Sequence, residues 1–223
     1  MGQGLEEFLG EPAQASTLEG CLEAEFVRTL VCQAGLVMAG EKPAAIFGFT
    51  PRAWKATGCS KEKRGLSARL LAVYSAKLAS YGVCLAGLAR KSDGLMLLAW
   101  RPERVAELLG SEENRAFLAE CGLDDSDSRA LMGSLVRRLR EYYQGRIAFP
   151  HEIGLILGYP VEDVRAFLRD GGRGAKAVGR WRAYGDVDTA ARRFEELTAL
   201  EKRCKRLYLQ GVPVTELLRL GAA

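Results

Sequence analysis

Apolar residues return every three or four positions at Leu18, Leu22, Phe26, Leu30 and Val37, and Gly40 follows them. That spacing predicts a helix over 17–39 with a glycine stop. The pattern then tightens: Pro43–Phe49 is a short apolar run ended by Pro51, which suits a strand. Helical spacing resumes between Lys61 and Tyr81 through Leu66, Leu70, Val73, Tyr74 and Leu78, with Gly82 as its stop. Val83–Ala89 and Leu95–Trp100 flank Arg90-Lys-Ser-Asp-Gly94, which predicts a hairpin with Asp93-Gly94 supplying positive φ. Both hairpin runs are apolar on both faces, so the sheet is expected to be covered on two sides.

Shorter helices are predicted over 103–109, 112–121 and 126–143, with two more inside 149–170. A strand at Arg180–Tyr184 follows the glycine-rich bend Gly171–Gly174. A long helix runs from Asp188 to Leu209, and a short one follows Gly211-Val-Pro213. Together these predict an α+β fold: a small mainly antiparallel or mixed sheet of about four strands surrounded by seven or eight helices. No repeat, low-complexity tract or Pro/Ser-rich linker interrupts residues 1–223, so one domain is expected, with 1–16 a flexible or loosely packed N-terminus.

The composition, 48% apolar and 27% charged over 223 residues, excludes a wholly disordered chain and gives no sign of a membrane protein. The chain opens Met1-Gly2-Gln3-Gly4 and turns acidic, with neither the basic nor the apolar part of a secretory signal, and a cytoplasmic location is expected. Six dispersed cysteines, none in a C-x2-C spacing, predict reduced and mostly buried thiols with no metal among their duties. The net charge of +4 hides an asymmetry. Six acids and no base lie in residues 1–26, while residues 165–206 hold twelve bases and six acids. Such a stretch suits an anionic partner, the acidic front of the same chain, or a solvated helix face.

The chemistry converges on Phe149–Leu168, which contains the only histidine, His151. Pro150 and Pro160 sit where helices begin, which puts His151 in the first turn of its helix, and Gly158 sits at a turn. Gly154, four residues before Gly158, and Val164, six after it, have the spacing of a DNA-reading helix-turn-helix. The charges oppose that function. Glu162 and Asp163 would stand at the start of the reading helix, facing a phosphate backbone. Leu155 and Ile156 make the first helix apolar where a DNA-binding unit is solvated, so the pair reads as a buried structural hairpin.

Glu152 adjoins His151, but neighbours on a helix diverge by about 100° and form no dyad by spacing alone. Lys42 lies between a helix and a strand, in the kind of loop that carries function. The Gly171-Gly-Arg-Gly174 bend with Lys176, Arg180, Trp181 and Arg182 offers backbone N–H groups, bases and an aromatic to a phosphate or a single strand. It lacks the spacing of a nucleotide loop.

The runs Ala39-Gly-Glu-Lys42-Pro-Ala-Ala-Ile-Phe47, Phe149-Pro-His-Glu-Ile-Gly-Leu-Ile-Leu-Gly-Tyr-Pro-Val-Glu-Asp-Val164 and Gly179-Arg-Trp-Arg-Ala-Tyr184 resemble an uncharacterised bacterial family, a domain of unknown function found mostly in anaerobes. Ala191, Phe194, Cys204, Tyr208 and Gly211 continue the likeness, with a shorter interval between the last two than the family pattern has. The resemblance implies a cytoplasmic single-domain protein without an established activity, and a loose association with redox or iron physiology.

The expected function is a non-enzymatic binding or accessory protein with an unidentified protein or small-molecule partner, its cofactor unassigned. His151 and Glu152 would face Lys42 and the segment Arg180, Trp181, Arg182 and Tyr184. Two alternatives are a nucleic-acid-binding regulator using 150–169 and the basic C-terminal region, and a small enzyme with His151 as general base.

Overall fold

A computed structural model describes residues 17–52, 60–123 and 126–220. The N-terminal segment 1–16 and Cys59 lie outside the described residues. Helix α1 (Leu18–Met38) is capped by the Thr17 hydroxyl, and its apolar positions are buried nearly all round in the C-terminal half. Strand β1 (Ala44–Phe49) follows, then α2 (Ser60–Ala79), β2 (Cys84–Arg90) and β3 (Leu95–Trp100). Helices α3 (Pro102–Leu108), α4 (Glu112–Glu120), α5 (Ser128–Tyr143), α6 (Ile153–Ile156) and α7 (Val161–Asp170) come next. A hairpin of two-residue strands, β4 (Ala177–Val178) and β5 (Arg182–Ala183), precedes α8 (Val187–Leu209) and α9 (Val214–Leu220).

The α+β class is as expected, but the strands divide. The main sheet has three antiparallel strands in the order β1-β3-β2, and β4 pairs only with β5. The segment 180–184 therefore does not join the main sheet, because its partner is the residue run just before it. Alternation along β3 sends Leu95, Leu97 and Ala99 to one face, packed with α1 and α2, and Met96, Leu98 and Trp100 to the other, packed with α3 to α7. The sheet is covered on both sides, as its doubly apolar strands predict. Helix α8 crosses α1 where Gly35 meets Cys204: a Cβ at Gly35 would lie 3.3 Å from the Cys204 Cβ. A third apolar cluster joins Leu36 to Trp181, Ala183, Ala190 and Leu197.

Three local expectations are corrected. Neither Asp93 nor Gly94 has positive φ. Gly94 is needed because a Cβ there would fall 2.2 Å from the Phe49 carbonyl oxygen of the neighbouring strand. The cysteines are mostly half-buried: Cys204 is buried, but Cys32, Cys84 and Cys121 are only partly covered. His151 precedes its helix rather than sitting in its first turn. The N–H groups of Ile153, Gly154 and Leu155 donate to the carbonyls of Pro150, His151 and Glu152, a tighter i→i+3 winding that leaves α6 only four residues long.

One polar side chain holds the frame. Arg101 follows β3 directly and is fully buried. Its guanidinium donates to the carbonyls of Val37 (2.7 Å), Tyr81 (3.1 Å) and Leu218 (3.0 Å), and to that of Met38. Those carbonyls belong to the ends of α1 and α9 and to the turn leaving α2, where backbone acceptors lack helical donors. Glu103 supplies the counter-charge at 3.1 Å. Arg101→Met would leave the Met38, Tyr81 and Leu218 carbonyls without this donor, while Val37 keeps the Gly40 N–H, and is expected to cost about 3–5 kcal/mol. Arg101→Lys should recover only part, since an ammonium cannot reproduce the planar fork. Urea unfolding measures both, and a loss below about 1 kcal/mol for Arg101→Met would contradict this role.

Candidate functional site

The α6–α7 pair owes its close approach to two glycines. A Cβ at Gly154 would come within 3.0 Å of Val164 Cγ2 and 3.2 Å of the Tyr159 ring. Gly158 turns the chain at φ +82°, and a Cβ there would meet Pro43 Cδ at 3.1 Å. The helix-turn-helix spacing thus reflects packing between these helices and against the loop after α1. Pro160 opens α7 with φ −54° and ψ 137°.

Asp163, in the first turn of α7, is 5% exposed. One carboxylate oxygen accepts from the N–H groups of Tyr184 (2.7 Å) and Gly185 (3.2 Å), and the other accepts from Trp181 Nε1 (2.8 Å). The β4–β5 hairpin is therefore hung on α7 by one carboxylate. Gly179 lets the hairpin turn lie flat against α8, because a Cβ there would fall 2.4 Å from the Phe194 ring.

Between the hairpin and α6–α7 opens a groove of about 400 Å³. Its lining includes Phe149, His151, Leu157, Tyr159, Phe167, Val178, Trp181 and Arg182. The rings form two groups. His151 meets Phe149 (5.0 Å between centroids) and Phe167 (4.9 Å), while Trp181 stacks on Tyr159 (5.4 Å) and takes Phe194 edge-on. His151 is exposed, and its ring makes no hydrogen bond among the described residues. Arg182 is exposed at the groove and donates to the Gly172 carbonyl.

The expected site residues divide accordingly. His151, Trp181 and Arg182 share the groove. Glu152 points elsewhere: it is 8% exposed, and its carboxylate accepts from Arg138 at 2.6 Å, tying α6 to α5. Tyr184 contributes its backbone N–H to Asp163, and its hydroxyl is buried without a hydrogen-bond partner among the described residues. Lys42 and Arg180 line a separate polar cavity of about 170 Å³ together with Glu201. The Lys42 ammonium lies 5.5 Å from the centre of the Tyr159 ring. Burial first, and then the positive charge of Arg180, lower the Lys42 pKa to about 8, with Glu201 pulling the other way. Burial opposes the charge on Glu201, but hydrogen bonds from Lys205 and Arg180 hold its carboxyl below the ordinary value. Sequence reasoning missed Tyr159, Phe149, Phe167 and Glu201, and it read Asp163 only as a charge unfavourable to DNA. An acid in the first turn of α7, before a tryptophan-bearing hairpin, was the available signal.

Five of the twelve bases between 165 and 206 are ion-paired. Arg165 pairs with Glu120, Arg180 and Lys205 with Glu201, Arg193 with Glu196 and Arg169 with Asp170. In the acidic front, Glu19 pairs with Arg69 of α2. Among the described residues no cluster of His, Cys, Asp and Glu could hold a metal ion, and no helix is long and apolar enough to cross a membrane.

Fold and groove together define an α+β protein with an aromatic-walled cleft beside a small appended hairpin. The chain belongs to the family described as "Protein of unknown function (DUF3793)", whose model matches residues 30–218. No curated protein and no solved structure matches it.

Two measurements test these assignments. Asp163→Asn places an amide NH2 where an acceptor stood and should cost about 2–3 kcal/mol. Amide exchange should accelerate at Tyr184 and Gly185 but not in β3; uniform acceleration, or none, would contradict the tether. For Lys42, the folded pKa of about 8 lies below the ordinary 10.5, so between those values the unfolded chain holds a proton that the folded one has shed. Stability therefore rises with pH across that window. Lys42→Met should raise the melting temperature at pH 7, by about 2–4 °C per kcal/mol recovered, and should remove that part of the pH slope.

Proposed function

We propose that this is a non-catalytic binding protein whose ligand is a small planar ring compound with an anionic substituent, seated in the groove between α6–α7 and the β4–β5 hairpin. The observation that carries the reading is the pairing of two aromatic walls, Phe149–His151–Phe167 and Tyr159–Trp181, with one exposed arginine, Arg182. Faces of this kind accept a flat ring by offset stacking or edge contact. An arginine at the rim takes a carboxylate or phosphate through its planar fork. The volume falls in the range of small-molecule sites, and the lining is mainly apolar with few polar groups. The redox association implied by the family resemblance directs attention to heteroaromatic cofactors such as flavin mononucleotide, which belong to this chemical class.

The other two readings have less support. For duplex binding, the first turn of α7 would have to enter a groove, yet Asp163 in that turn is covered by the hairpin and five of the twelve bases of the basic stretch are ion-paired. For general-base catalysis, His151 has aromatic neighbours rather than a group that would orient its proton.

Titration with flavin mononucleotide and with 8-anilinonaphthalene-1-sulfonate, read by tryptophan quenching and ligand fluorescence, tests the proposal. One equivalent should bind with a dissociation constant on the order of 10 µM. Val178, 69% exposed at the groove, can be enlarged without touching the core. Val178→Trp should weaken binding at least tenfold. Absence of binding by both probes, or binding indifferent to Val178→Trp, would refute the groove as the site.

A further inference from the structure

The smaller cavity shares no lining residue with the aromatic groove. Its walls are the carboxyl-terminal half of α1, from Cys32 to Val37, with Lys42, Ala45, Arg180 and Glu201. We propose that Lys42 is a nucleophilic amine that takes up small oxo-acids, compounds with an aldehyde or ketone beside a carboxylate, as an imine within this cavity.

Three features meet there. The volume of about 170 Å³ corresponds to five or six water molecules at roughly 30 Å³ each, which is room for a compound of about that many heavy atoms. The charges favour an anion. Glu201 is shared between Arg180 (2.6 Å) and Lys205, so the cations around the cavity outnumber its one carboxylate. Lys42 makes no ion pair among the described residues and lies against the Tyr159 ring instead. A half-buried ammonium beside an arginine is also more easily deprotonated than a solvated lysine, and an amine must be neutral to attack a carbonyl.

The chemistry balances without an outside reagent. The amine lone pair forms a C–N bond while the carbonyl π electrons move to oxygen, which takes a proton to give a carbinolamine. Loss of that hydroxyl as water forms the C=N bond, so one water is released and nothing is oxidised or reduced. Arg180 would hold the substrate carboxylate, and Glu201 can pass the proton from the adding amine to the departing hydroxyl. The charged and titratable groups around Lys42 are Arg180 from the hairpin turn, Arg193, Glu201 and Lys205 from α8, Glu41 beside it, Cys32 from α1 and Tyr159.

The test incubates the full chain with glyoxylate and sodium cyanoborohydride, which traps imines, and maps adducts by mass spectrometry over the nine lysines. At pH 7.5 Lys42 should be modified at least tenfold faster than the average of the other eight. That advantage should shrink towards pH 10, where solvated lysines also lose their protons. Arg180→Gln removes a charge that lowers the Lys42 pKa, so it should slow labelling by uncharged glycolaldehyde somewhat and labelling by glyoxylate several-fold more. Oxalate should compete in the unaltered protein, which tests the carboxylate site even if Arg180→Gln fails to fold. Even labelling across the lysines would overturn the proposal. Preferential labelling of Lys42 that neither oxalate nor Arg180→Gln alters would overturn the oxo-acid specificity. Because Lys42 lies outside the aromatic groove, failure here leaves the ring-binding proposal standing, and the reverse also holds.

Discussion

Three helical segments end at one guanidinium. Apolar packing of α1, α2 and α9 around the sheet is strong but non-directional, and it does not specify where each helix stops. Arg101 specifies it, because its buried donors must be met by carbonyls at fixed angles. Burying a guanidinium is costly, so its net contribution to stability is much smaller than the loss on deleting it. Its stronger effect is on geometry. Fixing the end of α1 fixes the loop Gly40–Pro43, and that loop carries Lys42 towards Tyr159 and seats Pro43 against Gly158.

Asp163 is the counterpart of opposite sign. Arg101 gathers carbonyls at helix ends, while Asp163 gathers N–H groups from a hairpin too short to stand alone. Two-residue strands offer few ladder bonds, so the position of Trp181 depends on a carboxylate belonging to another element. The aromatic groove exists because of that tether: one of its walls is built on the α6–α7 turn and the hairpin together. Both ionic devices lie at the ends of elements, where the backbone leaves groups for a side chain to satisfy.

Much of the architecture was legible from apolar spacing. The periodic runs beginning at Leu18, Leu66 and Asp188 correspond to α1, α2 and α8, and the doubly apolar Leu95–Trp100 is the central strand β3. Local signals failed where a distant partner decided the outcome. Gly94 looked like a positive-φ turn residue, but it is small because the Phe49 carbonyl passes beside it. Arg180–Tyr184 has the composition of a sheet strand, yet it folds onto its own preceding residues. The site was legible only in part. His151, Trp181 and Arg182 share one groove, whereas adjacent Glu152 turns to Arg138, since neighbours on a winding backbone face different ways. Arg101 was invisible as a frame residue, because a lone arginine after a strand carries no local mark of carbonyls that lie far away in the chain.

The sequence distances in these ties differ greatly, and that has a kinetic consequence. Trp181 and Asp163 are 18 residues apart, so the hairpin can find its tether as soon as that stretch exists. Arg101 and Leu218 are 117 residues apart. During synthesis from the N-terminus, β3 and its arginine leave the ribosome long before α9 is made, and the guanidinium must wait with one acceptor missing. Closing so long a loop is slow compared with local pairing. The last few residues of the described chain are thus a latch: until α9 arrives, the rest of the fold encloses a cation that still lacks one of its carbonyls.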